Sequence, residues 1–576
     1  MIPPQFRETW LCDFEFNGQA GDPPDPLCLV AREYHTGREL RLWRHELRCR
    51  KRAPFDTGPD SLFVSYFACA ELGCFCSLGW PLPNNVLDLF VEHRVETNGL
   101  DLLTDNSLLR ALAHRGLAGL DGARKETMRD RIMNWTGGTA SEQQDIFNYC
   151  ADDTAALGRL LDRMAPEIDW PRALLRGRFM MSVAIMERHG VPIDTRTWNT
   201  LTEAWEPLKT RLITEVDRDY GIYDGTTFKT DRFKAWLSLN GIPWPYYPSG
   251  VPQLDGDTFR DMSLSYPQVA PLHQLRQSTA QLRLTGLTIG RDGRNRCLLS
   301  PFRASSSRNQ PSNSKFIFGP ATWIRSLIKP SEGHAVGYID WSGQEYGITA
   351  ALSGCEAMLD SYRSGDPHFH FAKRAGLVPA DAAPSDYPAI REACKRCNLG
   401  TNYGLTATGL ALRLGIALVD ARELLARHHE IYWRFWQWLD QIVSSAMLNN
   451  RIVSTFGWPL QITAGTKPRT VQNFAAQSNG AEAMRIAAIA ATEAGIEVCC
   501  PVHDAFLIHA PLDRIDNDVA LLRDIMRRAS LAVTGGLEIR TDAKIVKFPD
   551  RFSDERGAAM WHRILKLCTE IDRAAA

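Results

Sequence analysis

Arg391, Lys395, Leu399 and Tyr403 fall at four-residue spacing in REACKRCNLGTNYG, with Gly404 directly behind. Residues four apart share one face of a helix, so two cations and a phenol line a single stripe suited to a triphosphate and a base. Upstream, YIDWSGQEYG closes an apolar run with Asp340 and then offers Glu345; downstream, PVHDAFLIHA carries Asp504 behind His503. Two far-separated carboxylates and a basic helix are the equipment of metal-assisted phosphoryl transfer. A lone charge on a helix is usually only a solvated face, but Lys395 has stripe partners one turn away on both sides.

These side chains need elements to hold them. VGYID reads as a buried strand with its acid at the end, and EVCCPV and AFLIHA as two strands joined at His503 and Asp504. That joint lacks the Gly or Asn a tight hairpin prefers, which points to a functional constraint. The motif helix is expected to start with a cap from Ser385 or Asp386 and Pro388 in its first turn. Gly400 inside it costs roughly 1 kcal/mol relative to Ala, explained by close approach of a ligand or backbone, or by a local kink. A second helix from Pro468 to near Gly495 repeats the spacing with Arg469, Asn473 and Gln477. FMMSVAIMERHGVPID reads as a helix stopped by Gly190 and Pro192.

The first 170 residues carry their own acids. Asp13 and Glu15, two apart in TWLCDFEFN, share a strand face; Tyr149 and Asp153, four apart in FNYCADDTAAL, share a helix face.

The three blocks, in this order, resemble motifs A, B and C of family A (DNA polymerase I-like) DNA polymerases, which read roughly DYSQIELR, RxxxKxxxFxxxYG and VHDE. The resemblance makes Asp340 and Asp504 the metal-binding pair. Arg391 and Lys395 become triphosphate ligands, Leu399 and Tyr403 neighbours of the incoming nucleotide and templating base, and Glu345 the gate against a ribose 2′-hydroxyl. Arg469, Asn473 and Gln477 match RxxxNxxxQ, which contacts primer and template, and His503 joins them as a DNA contact. The DxE and YxxxD pairs look like the 3′→5′ proofreading exonuclease ahead of the polymerase in this family, with Tyr149 orienting water or phosphate. There Asp13, Glu15, Asp153 and a middle acid hold metal; Glu71 in SYFACAELGCF is assigned that place, with Asp88 in NVLDLF as competitor. Three departures stand out. Leu399 replaces an aromatic, Ala505 replaces the Glu after the motif C acid, and the TGR segment survives only as Ser306, Ser307 and Arg308, so Arg308 is the primer–template contact and Arg303 its rival.

The resemblance implies an α/β and α+β multidomain chain: an RNase H-like exonuclease at 1–170, the polymerase lead-in and thumb at 171–300, palm at 301–345 and 448–576, and fingers at 346–447. It implies two Mg²⁺ in each site, primer–template DNA and dNTPs as partners, a monomer with room for accessory replication factors, and a compact bacteriophage-type enzyme without a 5′ nuclease domain. With 576 residues, 44% of them hydrophobic, the chain can fill several cores. A net charge of −1 leaves DNA affinity to local stripes. The basic run RLWRHELRCRKR reads as a solvated hairpin. Fourteen scattered cysteines, with CKRC alone inside the motif helix, fit reduced thiols in a cytoplasm better than disulfides or zinc. No secretion signal and no membrane span are legible, so a soluble protein is expected. The competing classes are a single-subunit RNA polymerase, separable by dNTP against rNTP use, and a non-catalytic DNA-binding scaffold, which would not need both acids.

Overall fold

Alternation in ETWLCDFEFN builds the central strand of a first sheet. The computed structural model describes residues 1–100, 105–119, 122–281, 286–319 and 321–575. In it β1 (Glu8–Asn17) is flanked by antiparallel β2 (Asp25–Glu33) and β3 (Glu39–Trp43) on one side. On the other side lie parallel β4 (Ser61–Ser65) and β5 (Val86–Asp88), giving the order β3-β2-β1-β4-β5. Trp10, Cys12 and Phe14 enter the main core, while Leu11 points the other way into a second core with Leu157, Leu160 and Leu161. Asp13 and Glu15 follow Leu11 on that second face. Helices α1 (Cys69–Leu78) and α2 (Leu89–Thr97) follow β4 and β5, and α3 (Gly122–Met133) and α4 (Ala140–Met164) cover the acid-bearing face.

The expected hairpin at the basic run is instead strand β3 followed by a short helix, Arg44–Arg48. Arg44 and Arg48 turn back onto one carboxylate, Asp25, at 3.0 and 2.7 Å. Asp25 thus spends these cations on tying the sheet edge, which a solvated hairpin would have left in water.

Helix α5 (Trp170–His189) joins this sheet to the rest of the molecule. Gly190 ends it at φ 64° and ψ 179°, an extended positive-φ conformation that essentially only Gly takes. One side of α5 packs on α1 and β5, the other on elements near the C-terminus. Gly177 makes the first contact possible, because a Cβ there would lie 1.9 Å from the Val86 carbonyl oxygen.

After α5 comes a helical excursion, α6 (Trp205–Asp217), α7 (Thr230–Leu239), α8 (Gly256–Ser265) and α9 (Ala270–Gln281). It closes on its own small core of Phe233, Leu237, Trp244, Phe259 and Leu272.

The second sheet is antiparallel, in the order β7-β8-β6-β9: β6 (His334–Trp341), β7 (Val498–Val502), β8 (Ala505–Pro511) and β9 (Thr541–Lys547). Between β6 and β7 the chain is helical: α10 (Gln344–Ser353), α11 (Pro367–Arg374), α12 (Pro388–Asn402), α13 (Leu418–Ile431), α14 (Trp433–Asn449) and α15 (Pro468–Glu493). Helix α15 is buried from Val471 to Thr492 mostly through small or apolar residues, with the buried Glu482 and Arg485 paired to each other at 2.7 Å, as fits a helix sunk in a core. Helix α16 (Ile515–Thr534) packs on α15 and the sheet, and α17 (Glu555–Ala575) closes the chain. Among the described residues no helix is long and apolar enough to cross a membrane.

Candidate active site

Strand register brings the two distant aspartates together. Asp340, near the end of β6, pairs with Ala505 of β8 on one side and with Asp542 of β9 on the other. The Trp341 amide donates to the Asp504 carbonyl at 3.0 Å, so the acids of β6 and of the β7–β8 turn sit side by side. Burial pushes the Asp340 carboxyl up to about 6, helped by the charges of Asp504 and Asp542; burial also raises Asp504. His503 supplies the tight turn at φ 55°, a left-handed conformation uncommon outside Gly but one that His tolerates better than most side chains. Asp542 was not legible as a site residue. It opens an ordinary strand, TDAKIVK, and reaches the pair only through sheet register; Ser342 Oγ donates to its carboxylate.

The basic stripe forms on α12, with Pro388 in the first turn as expected. Its cap differs: Tyr387 is the N-cap and makes no side-chain bond, while Ser385 Oγ donates to Asp386 in the preceding turn. Gly400 is explained by packing inside the chain, since a Cβ there would lie 2.3 Å from Leu405 Cδ2, where the strand of chain after Tyr403 folds back on the helix. Arg391 Nε donates to Asp366 at 2.5 Å, and Asp366 also caps α11 through the Phe369 amide. Among the described residues Lys395 has no ion-pair partner within 4.0 Å, and Leu399 is half-buried beside it. His368, on α11, faces the same stripe. Burial first, then Arg391 and Lys395, lowers its imidazole to about 4 despite Asp366, and Asn398 Nδ2 lies 3.2 Å from its Nδ1. The only sequence signal for it was DPH, an N-cap followed by a first-turn proline.

At the far end of the stripe one carboxylate gathers three elements. The Tyr403 hydroxyl donates to Glu345, and Arg308 Nη2 donates to the other Glu345 oxygen at 2.6 Å. Burial and this hydrogen bond push the phenol up to about 12, and Gln477 also bonds it. Arg469 donates to the Gly404 carbonyl at 3.1 Å, while Asn473, between Arg469 and Gln477 on α15, has a buried Oδ1 with no partner. Gly480 lets α15 come this close: a Cβ there would lie 2.6 Å from Gln344 Oε1. Arg303 is elsewhere, lining a cavity between the two halves of the molecule.

Residues 319–545 match the model of DNA polymerase family A, a stretch that holds Asp340, Glu345, Arg391, Lys395, Tyr403, Arg469 and Asp504. This segment belongs to DNA polymerase family A. A DNA polymerase of Mycobacterium phage D29 is 24% identical over 386 residues, covering 64% of this chain and 63% of its own length. The thermostable DNA polymerase I of Thermus thermophilus is 26% identical over 231 residues, 38% of this chain and 27% of that enzyme. The chain thus spans less than two thirds of these relatives. The fold resembles a solved POL domain of Pol1 from M. smegmatis, in complex with DNA primer-template and dNTP, at a TM-score of 0.72 and 17% identity over 93% of this chain and 95% of that one.

Outside the family A segment, the N-terminal acids also converge. Burial and Asp153 push the Asp13 carboxyl up to about 8; burial and Asp13 raise Glu15 and Glu71 as well. Asp13 Oδ2, Glu71 Oε2 and Asp153 Oδ1 are buried without a hydrogen-bond partner. Tyr149 lies beside Asp153, its phenol raised by burial and by that charge. Asp88 is spent differently, its carboxylate accepting from the Phe67, Ala68 and Phe90 amides at 2.8 to 2.9 Å as the cap of α2. Lys125 of α3 was not anticipated; its ammonium sits 2.8 Å from Asp153.

Proposed function

We propose that the chain is a DNA-templated DNA polymerase that extends a primer 3′ end with dNTPs, and that its N-terminal sheet is a 3′→5′ proofreading exonuclease. The observation that carries the reading is the convergence of Asp340 and Asp504 beside Arg308 and Glu345, to which Tyr403 ties the far end of the basic stripe. On this reading the second sheet is the palm, α10 to α14 the fingers, and α6 to α9 the thumb.

Hard oxygen donors crowded together suit Mg²⁺, whose charge would relieve their mutual repulsion, and Asp340 and Asp504 would hold it. Bound there, two ions would activate the primer 3′-oxygen and offset charge on the departing pyrophosphate. The protein's own part is positioning. Lys395 and Arg391 neutralise triphosphate charge from one helix face, with His368 as a neutral donor between them. Arg391 must exchange Asp366 for phosphate as it does so. Glu345, tethered by Arg308 and Tyr403 through one hydrogen bond to each oxygen, walls the space beside the sugar, where a 2′-hydroxyl would meet a carboxylate held in place. Arg469, Asn473, Gln477 and His503 line the approach for primer and template, and the orphaned Asn473 oxygen is an acceptor waiting for a base edge.

In the N-terminal pocket, three buried, unpartnered carboxylate oxygens match a divalent cation, with Asp13, Glu15, Glu71 and Asp153 to hold it. Glu71 is favoured over Asp88, whose oxygens backbone amides already consume. The deciding experiment is Mg²⁺-dependent extension of a primed template, run with dNTPs, with rNTPs and with neither. Extension with dNTPs and shortening without them support both activities; preference for rNTPs would point to an RNA polymerase, and no extension to a scaffold.

A further inference from the structure

Lys125 has no place in the reading so far. Helix α3 is pinned to α4 by Arg124 on Asp152 and Lys125 on Asp153, at 2.9 and 2.8 Å. The Asp152 pair is half-exposed, but the Lys125–Asp153 pair is withdrawn from water, with side chains 30% and 10% exposed. The ammonium acts on more than its contact: its charge opposes the rise in the Asp13 and Glu15 carboxyls, and it stands 5.9 Å from the centre of the Tyr149 ring. It therefore faces three acids of the pocket and the tyrosine assigned beside them. Even so, one oxygen each of Asp13, Glu71 and Asp153 stays buried and unpaired, so the pocket has room for more positive charge than the lysine brings.

We propose that Lys125 is a resident cation of the exonuclease pocket, holding Asp153 in place of one divalent ion and leaving Asp13 and Glu15, whose oxygens lie within 4.8 Å of one another and of Cys150 Sγ, to hold the other. This rests on the exonuclease reading. An ammonium and a divalent ion on one carboxylate repel each other, so they compete for Asp153. The free protein then takes a single divalent ion here, and a second enters only by displacing the lysine. Lys125 is a positioning residue, acting through the Asp153 carboxylate.

The test is Mn²⁺ binding followed by electron paramagnetic resonance on the full chain, in an Asp340→Asn, Asp504→Asn background that silences the other carboxylate pair. The parent should bind one Mn²⁺ tightly. Lys125→Met should bind two, or bind the second roughly tenfold more tightly, whereas Lys125→Arg, which keeps the charge, should behave as the parent. Melting curves like the parent's exclude misfolding as the cause. Unchanged Mn²⁺ binding in Lys125→Met, or a second ion gained equally by Lys125→Arg, overturns the inference. Asp13→Ala separates the two layers. If it still digests single strands, the exonuclease reading itself falls; if it does not, while Lys125→Met binds Mn²⁺ like the parent, only the role of Lys125 falls.

Discussion

At the scale of single residues, Asp504 and Leu399 make opposite demands. Asp504→Asn removes half of the carboxylate pair while preserving shape, so primer extension should drop by roughly a thousandfold or more, with digestion of single strands intact. Loss of both activities would mean that the acid supports folding rather than chemistry. Leu399 sits in the stripe without an aromatic face to stack on a base. Leu399→Phe should therefore lower the KM for dNTPs about fivefold, since stacking on an aromatic is worth about 1 kcal/mol or more, and single-turnover kinetics with one dNTP would measure it. The stripe was legible because four-residue spacing keeps its side chains on one helix face, and Asp340 and Asp504 because each sits at the end of an apolar strand; that the two belong together came only from the family resemblance. Asp542, His368 and Lys125 were not, because register or a helix from elsewhere in the chain brings each of them to its site.

At the scale of elements, Gly177 decides how close α5 comes to β5, as Gly480 does for α15 and α10. Gly177→Ala would drive a Cβ into the Val86 carbonyl, a backbone group that cannot swing aside, and should destabilise by about 1–3 kcal/mol. Thermal unfolding would report it; an unchanged midpoint would show that α5 can shift away from β5. Sequence pattern located α12 and α15 well because four-residue spacing survives any packing. It misassigned the cap of α12, since Ser385 and Asp386 bond to each other instead of to the helix, and it read the basic run as a hairpin because the Asp25 partner lies on a strand distant in sequence. Gly400 showed that a glycine in a motif helix can answer to the chain's own fold, here Leu405.

For the whole molecule, the buried acids set the pH response. Asp13 and Asp340 have folded-state values of about 8 and about 6, both above the roughly 3.9 of a free aspartate. A carboxyl raised on folding lends stability that is full below its unfolded value and is lost as pH rises through the folded one. The metal-free protein should thus melt progressively lower between about pH 4 and about pH 8, and Mg²⁺ should flatten that decline by favouring the ionised forms. A metal-free midpoint that stays level, or one that falls equally with Mg²⁺, would contradict the assignment of both pockets.

Helix α5 has one more implication, for anyone wanting this chain without its N-terminal sheet. Cutting the gene ahead of Trp170 would strip β5 and α1 from a rod whose Ala173 sits in the second core of the N-terminal sheet and whose Gly177 rests on the Val86 carbonyl. The shortened product would carry a greasy scar and should clump on expression. Point substitution, with Asp13→Ala, keeps that shelter, which makes it the sounder route to a chain without the proposed exonuclease.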